Sequence, residues 1–210
     1  MPNALIVGGT RGLGFELAKA YSHREFAVTA TARSSPPNYH DVFWISGVDI
    51  AEESAGKSIV DGLKGYKQDI VIITAGYFGK ESFEELDWEA ELKMYKISSM
   101  GPLFVVQALH QAGLLAEGCK IILVSSEAGS IALRHESEGG AMYAHHGSKA
   151  ALNRVGKLMS RNLKDDDVAV AMVHPGFMRT EMTAGVGFDK VLRISAPVRH
   201  TPAEHYIVLG

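Results

Sequence analysis

Short apolar runs alternate along the chain with longer stretches in which polar and apolar positions mix. The short runs are Ala4–Gly8, Phe26–Thr31, Val42–Ser46, Ile70–Thr74, Lys120–Ser125 and Val168–Val173. They are rich in Val and Ile and read as strands buried in a parallel sheet. Between them, Gly12–His23, Ala51–Leu63, Phe83–Met94, Ser99–Leu115 and Ser148–Leu163 are long enough for crossover helices. The repeated strand–helix order predicts an α/β fold, a doubly wound, Rossmann-like parallel sheet of six strands with helices on both faces. No linker or low-complexity segment divides it, so a single αβα domain is expected over residues 1–210. Ser34–Tyr39, with its paired prolines, reads as a loop, as does Arg134–Gly140. The acidic run Asp165–Asp167 reads as a solvated turn.

Composition narrows the field. The 210 residues are 46% hydrophobic and 21% charged, the balance of an ordinary globular domain rather than a disordered chain. A formal charge of -3 gives no reason to expect nucleic acid as the main partner. One cysteine, Cys119, allows no internal disulfide and fits a reducing compartment. The opening MPNALIVGG has no basic stretch ahead of its apolar run, and no segment reaches the roughly 18 unbroken apolar residues of a membrane span. A cytoplasmic protein without signal peptide or membrane contact is the expectation. The 22 glycines are neither periodic nor gathered into a linker, so their use must be local.

The most informative glycines lie in residues 3–14, NALIVGGTRGLG. Gly8, Gly12 and Gly14 follow a predicted strand and open a predicted helix, with Thr10, Arg11 and Leu13 between them. Glycine permits a tight turn and close approach of the backbone, and helix N-terminal amides favour a diphosphate. A glycine-rich turn can be purely structural, but this placement in a βαβ unit favours dinucleotide binding. After the second strand, Ala32 stands where an acid would bind ribose hydroxyls, and Arg33 follows it. Arg33 and Arg11 suit a 2′-phosphate, although either alone can be a surface charge. The cofactor expected is NADP rather than NAD.

The ordered landmarks Gly8–Gly14, Asp49-Ile50, Ala75-Gly76, Ser125-Ser126, Ser148-Lys149 and Pro175-Gly176 resemble those of the short-chain dehydrogenase/reductase family, over nearly the whole chain. Val7 stands where the family's TGxxxGxG turn usually has Thr. Within the family the sequence is most similar to the small C-factor-like reductases. The resemblance implies that Asp49 and Ile50 meet the adenine, that Ala75 and Gly76 leave room beside the nicotinamide ribose, and that Pro175, Gly176 and Thr180 form the nicotinamide-side turn. It also implies a homodimer through the helices at 99–115 and 148–163, and a small-molecule substrate. Phe177, Met178 and Met182 are candidates for the substrate wall or for helix packing, and Glu127, Ile131, Leu133 and Arg134 for another wall, with Glu127 as readily solvent-facing.

Family reductases use Asn, Ser, Tyr and Lys. The Lys has its counterpart in Lys149, and Ser126 matches the catalytic Ser better than Ser125 does. Four residues before Lys149, on the same helical face, the Tyr is replaced by His145. Tyr143 is two residues too early and matches an accessory tyrosine of the C-factor-like relatives. The Asn position carries Ser98, which lacks an amide's paired donor and acceptor. Imidazole exchanges protons near neutral pH, and Lys149 beside it disfavours the charged ring.

The catalytic set is therefore read as Ser126, His145, Lys149 and Ser98, in an NADP-dependent oxidoreductase acting on a small or medium carbonyl or alcohol. Two alternatives accompany it: a cofactor-binding regulatory protein without turnover, and a non-redox lyase or isomerase using Ser126 and His145. No metal site is expected, because adjacent His145 and His146 point apart on a helix. The resemblance further implies a seventh strand beyond the sixth. No candidate for it exists, and Thr201, Pro202 and Glu204 mark only the start of a last helix.

Overall fold

The computed structural model describes residues 1–79, 81–133, 139–176 and 178. Six strands form one sheet: β1 (Asn3–Val7), β2 (Ala27–Ala32), β3 (Val42–Ser46), β4 (Gln68–Ile73), β5 (Leu115–Val124) and β6 (Ala169–Val173). Their order is β3-β2-β1-β4-β5-β6 and every pairing is parallel. Among the described residues five α-helices accompany them: α1 (Gly12–Ser22), α2 (Ala55–Leu63), α3 (Trp88–Tyr95), α4 (Gly101–Gln111) and α5 (Tyr143–Asn162). A π-helical turn, Lys96–Met100, joins α3 to α4. The expected Rossmann-like α/β sheet is therefore present.

Side chains alternate across the sheet with the two-residue period of extended chain. Leu5 and Val7 of β1 join Val71, Ile73, Ile121 and Leu123 in one core cluster, which also contains Ile59 of α2, Leu109 of α4 and Leu152 of α5. Ala4 and Ile6 point the other way and pack with Ala18 of α1, Val28, Ala30 and Ile72. Burial on both faces explains why the central strands are unbroken apolar runs. No helix among the described residues is long and apolar enough to cross a membrane.

Several helix limits differ from expectation, each for a local reason. Residues 51–54 are a turn rather than helix: Asp49 accepts the Ala51 N–H at its side chain and the Glu52 N–H at its carbonyl. Helix α3 begins at Trp88 rather than Phe83, because the Asp87 carboxylate accepts the Ala90 N–H at 2.8 Å and caps it there. Helix α4 stops at Gln111, with Gly113 in the left-handed region at φ 66°, so Leu115 begins a strand. Helix α5 starts at Tyr143, five residues before the expected Ser148, which brings His145 and Lys149 onto one continuous helix. Asp165 and Asp166 lie in an exposed 3₁₀ turn. The helix expected near Thr201 and the question of a seventh strand lie outside the described residues.

The central strands should dominate stability. Leu123 on β5 is fully buried, whereas Phe43 on the edge strand β3 is half exposed. Leu123→Ala is expected to cost about 2–5 kcal/mol in chemical denaturation, and Phe43→Ala no more than about 1 kcal/mol.

Candidate active site

The strand order reverses between β1 and β4, so the connections leaving their carboxyl ends run in opposite directions and leave a crevice above the sheet. A cleft of about 780 Å³ occupies this position. The turn after β1 forms its floor and is held from both sides. Thr31 of β2 accepts the Gly8 N–H at its hydroxyl and the Gly9 N–H at its carbonyl. Thr74, just past β4, donates its hydroxyl to the carbonyls of Val7 and Gly8 at 3.0 Å.

Two glycines are required by this packing. Gly8 has φ +91°, and a methyl group there would lie 2.8 Å from the Ala75 backbone. A methyl group at Gly14 would strike the Gly8 carbonyl and the Thr74 hydroxyl. Helix α1 therefore starts tight against the turn. Arg11 at its N-cap makes no side-chain cap bond to the helix, so no cap competes with an anion for the first-turn amides.

Gly8, Thr10, Arg11, Gly12, Leu13, Gly14, Arg33, Asp49, Ile50, Ala75, Gly76, Pro175 and Gly176, singled out from the sequence, all line this one cleft. Thr180, Phe177, Met182 and Arg134 lie outside the described residues. Ser126, His145 and Lys149 line the same cleft. Ser98 does not: it is buried in the π-helical turn, its hydroxyl has no hydrogen-bond partner, and Ile97 is the residue of that turn that faces the cleft. The serine expected among the catalytic residues thus sits behind the wall.

The Lys149 ammonium donates to the Val124 carbonyl at 2.8 Å, and burial lowers its pKa to about 8. Ser125 is committed to the structure, donating its hydroxyl to Asn153 at 2.7 Å. Ser126 instead accepts the Ala128 N–H at 3.2 Å, which leaves its own proton for another acceptor. Glu127 is not simply solvent-facing: it lines the cleft, and its carboxylate lies 3.8 Å from the His174 ring.

His145 sits one helical turn from Lys149, edge-on to Phe78 at 5.1 Å between ring centres. Its Nδ1 is buried without a hydrogen-bond partner. Burial pushes its pKa down to about 4, the charges of Lys149 and His146 add to this, and Glu81 opposes it. The ring is therefore neutral at physiological pH. Tyr143 is no substitute, since it stands outside the cleft against Phe83 at 6.0 Å.

The chain enters α5 through Ala141 at φ 81° and Met142 at φ 61°, two consecutive non-glycine residues in the left-handed region. Such residues cost on the order of 1–3 kcal/mol each unless their surroundings impose them. The Met142 carbonyl accepts both the backbone N–H and the ring Nδ1 proton of His146, the latter at 2.7 Å, which fixes that ring's tautomer.

Thr31, Thr74, Tyr77, Phe78, His146 and His174 also line the cleft but were not selected from the sequence. Thr74 adjoins Ala75-Gly76, and Thr31 is a polar residue ending an apolar run, so both carried a readable signal. Tyr77, Phe78 and His174 are placed by loop geometry, and His146 by its position in the first turn of α5. Among the described residues, no cluster of three or more His, Cys, Asp or Glu is arranged to hold a metal ion.

Comparison with known proteins agrees with this geometry. A family model described as short chain dehydrogenase matches residues 2–190. The chain is 29% identical over 187 residues to 1-hydroxy-2-glutathionyl-2-methyl-3-butene dehydrogenase of Rhodococcus sp., covering 87% of this chain and 80% of that protein. It is 32% identical over 117 residues to C-signal of Myxococcus xanthus, covering 54% and 68%. A carbonyl reductase structure from Pseudomonas aeruginosa superposes with a TM-score of 0.76 at 28% identity, covering 88% and 84%. A short-chain dehydrogenase/reductase from Burkholderia multivorans, solved with bound NADP, superposes with a TM-score of 0.74 at 26% identity, covering 86% and 81%. The chain therefore belongs to the short chain dehydrogenase family of oxidoreductases.

Proposed function

We propose that this protein is an NADP-dependent oxidoreductase of a small or medium carbonyl or alcohol, with His145 working in the family's tyrosine position. The observation that carries this reading is that Ser126, His145 and Lys149 open onto the same cleft as the glycine turn and Arg33. The NADP-bound Burkholderia relative supports the choice of cofactor. When bound, the dinucleotide supplies or accepts a hydride at the substrate carbon.

The chain's own residues do the rest. The uncapped amides of α1 meet the diphosphate, and Arg11 and Arg33 meet the 2′-phosphate, with no acid at Ala32 to repel it. Asp49 and Ile50 flank the adenine. Ala75, Gly76, Pro175 and Gly176 leave backbone room at the nicotinamide end, where Thr180 also belongs by resemblance. An ammonium has three protons, so Lys149 keeps two for ribose hydroxyls after bonding Val124.

Ser126 and His145 address the substrate oxygen. A neutral imidazole polarises a carbonyl by hydrogen bonding, the alkoxide left by hydride addition taking its proton from solvent water, and in the alcohol direction the ring accepts the hydroxyl proton. Its pKa of about 4 makes it a weak base, so slow turnover is expected.

A second reading, a dinucleotide-holding protein without turnover, is favoured by one observation: both departures from the family set fall on proton-handling residues, His145 and Ser98. A homodimer suits the exposed apolar faces of α4 and α5, where Leu103, Phe104 and Leu158 stand in solvent.

Fluorescence titration tests the cofactor assignment. NADPH should bind more tightly than NADH, with Arg33→Ala reducing that preference roughly tenfold and Lys149→Ala weakening NADPH binding by a similar factor. Equal affinity for the two dinucleotides in the unaltered protein, or full affinity in Lys149→Ala, would contradict it.

The state of His145 also has a consequence for stability. Its pKa falls from 6.5 to about 4 on folding, so the unfolded chain binds more protons between these values. The protein therefore loses stability as pH falls through this window. His145→Gln should reduce the loss between pH 7 and pH 4 by about 3 kcal/mol, measured by denaturation at both values.

A further inference from the structure

The helix that carries His145 and Lys149 is not capped by its own flank: Met142 at the N-cap is left-handed and makes no side-chain cap bond. The acceptor comes instead from the loop that follows β4. Glu81 Oε1 accepts the N–H of Ala144 at 2.8 Å and that of His145 at 3.4 Å, and the Glu81 carbonyl accepts the Met142 N–H at 3.4 Å. The same loop supplies Phe78, whose ring meets the His145 ring edge-on. His145 is thus held at its backbone by Glu81 and at its ring by Phe78, both in the segment that leaves Ala75 and Gly76.

We infer that Glu81 is a positioning residue for the active site, a helix cap supplied from across the cleft that sets where His145 stands. The inference deepens the proposed function and rests on the reading of His145 as the group that addresses substrate oxygen. A carboxylate suits the place, because the first-turn amides and the helix dipole both favour negative charge there. The cap also joins two parts of the site that share no sequence: the backbone beside the nicotinamide ribose and the helix bearing His145.

The surroundings of Glu81 fit a carboxylate kept in service as an acceptor. Its second oxygen, Oε2, is buried and has no hydrogen-bond partner. Glu91 of α3 faces it, and hydrogen bonding with Glu81 raises the Glu91 pKa to about 7, with burial and the charges of Glu81 and Asp87 adding to the effect. From α5, the Glu81 charge favours the protonated His145 ring, whereas Lys149 and His146 oppose protonation.

Two variants separate positioning from general support. Glu81→Gln keeps a carbonyl acceptor for the amides and removes the charge, while Glu81→Ala removes both. Backbone hydrogen exchange at Ala144 and His145 and the titration of the His145 ring are both read by ¹⁵N NMR, with His145→Gln identifying the ring signals. In Glu81→Ala the two amides should exchange about tenfold faster, and the ring midpoint should rise from about 4 toward 6.5 as the helix start opens to water. In Glu81→Gln exchange should stay near that of the unaltered protein while the midpoint moves below its value there. Unchanged exchange in Glu81→Ala, or a midpoint in Glu81→Gln that fails to fall, overturns the inference. If Glu81→Ala does not fold, Glu81→Asp, whose carboxylate is one methylene short of the amides, should show the faster exchange, and unchanged exchange there overturns the inference. NADPH titration of the unaltered protein tests the proposed function separately, since both NMR readouts need neither cofactor nor substrate.

Discussion

The site depends on one packing constraint, the contact between the turn after β1 and the end of β4. Gly8, Gly14, Thr74 and Ala75 meet there with no room for another methyl group, and Thr31 and Thr74 anchor the turn to the strands on either side. That contact lies where the strand order reverses, so the connections diverge above it and the cleft opens over this turn. The fold supplies the place for a ligand, and the glycines let α1 begin close enough to aim its amides into it.

The opposite wall is built under electrical tension. Helix α5 brings His145 and Lys149 together in a buried setting, where burial disfavours charge on both and the Lys149 charge further disfavours a charged ring. The result is an imidazole held neutral and an ammonium whose pKa is lowered to about 8. The Val124 carbonyl supports the ammonium, and Glu81 offsets part of the effect on the ring. An imidazole in this setting differs in kind from a phenol activated by a neighbouring lysine. Its neutral form already carries a basic nitrogen lone pair, whereas a phenol must first lose its proton, but burial makes the ring reluctant to take up a proton.

The strands were legible in the sequence because burial on both faces leaves unbroken Val and Ile runs, and the order of strands and helices followed from them. The glycine turn was legible because its chemistry is local: Gly8, Gly12 and Gly14 sit between one strand and one helix. Helix boundaries were less so. Asp87 caps α3 through a single side chain, and α5 starts early because residues from elsewhere hold its first turn. Ser98 matched a family position, but the register of the π-helical turn decides that Ile97 faces the cleft. Glu81, Phe78 and His174 gave no signal, since their partners are remote in sequence and only tertiary structure brings them together. Thus the residues that line the cleft around the glycine turn were largely readable, as were Ser126, His145 and Lys149, whereas the contacts that hold His145 in place were not.

The central claim is that His145 performs, in a neutral state, the work the family gives to tyrosine. The most direct test is NADPH oxidation across a carbonyl panel at pH 7 by the unaltered protein, His145→Phe and His145→Tyr. The account predicts measurable oxidation by the unaltered protein and a loss of about 100-fold or more in His145→Phe. Equal rates in the unaltered protein and His145→Phe would contradict it, as would no turnover by the unaltered protein with activity appearing only in His145→Tyr.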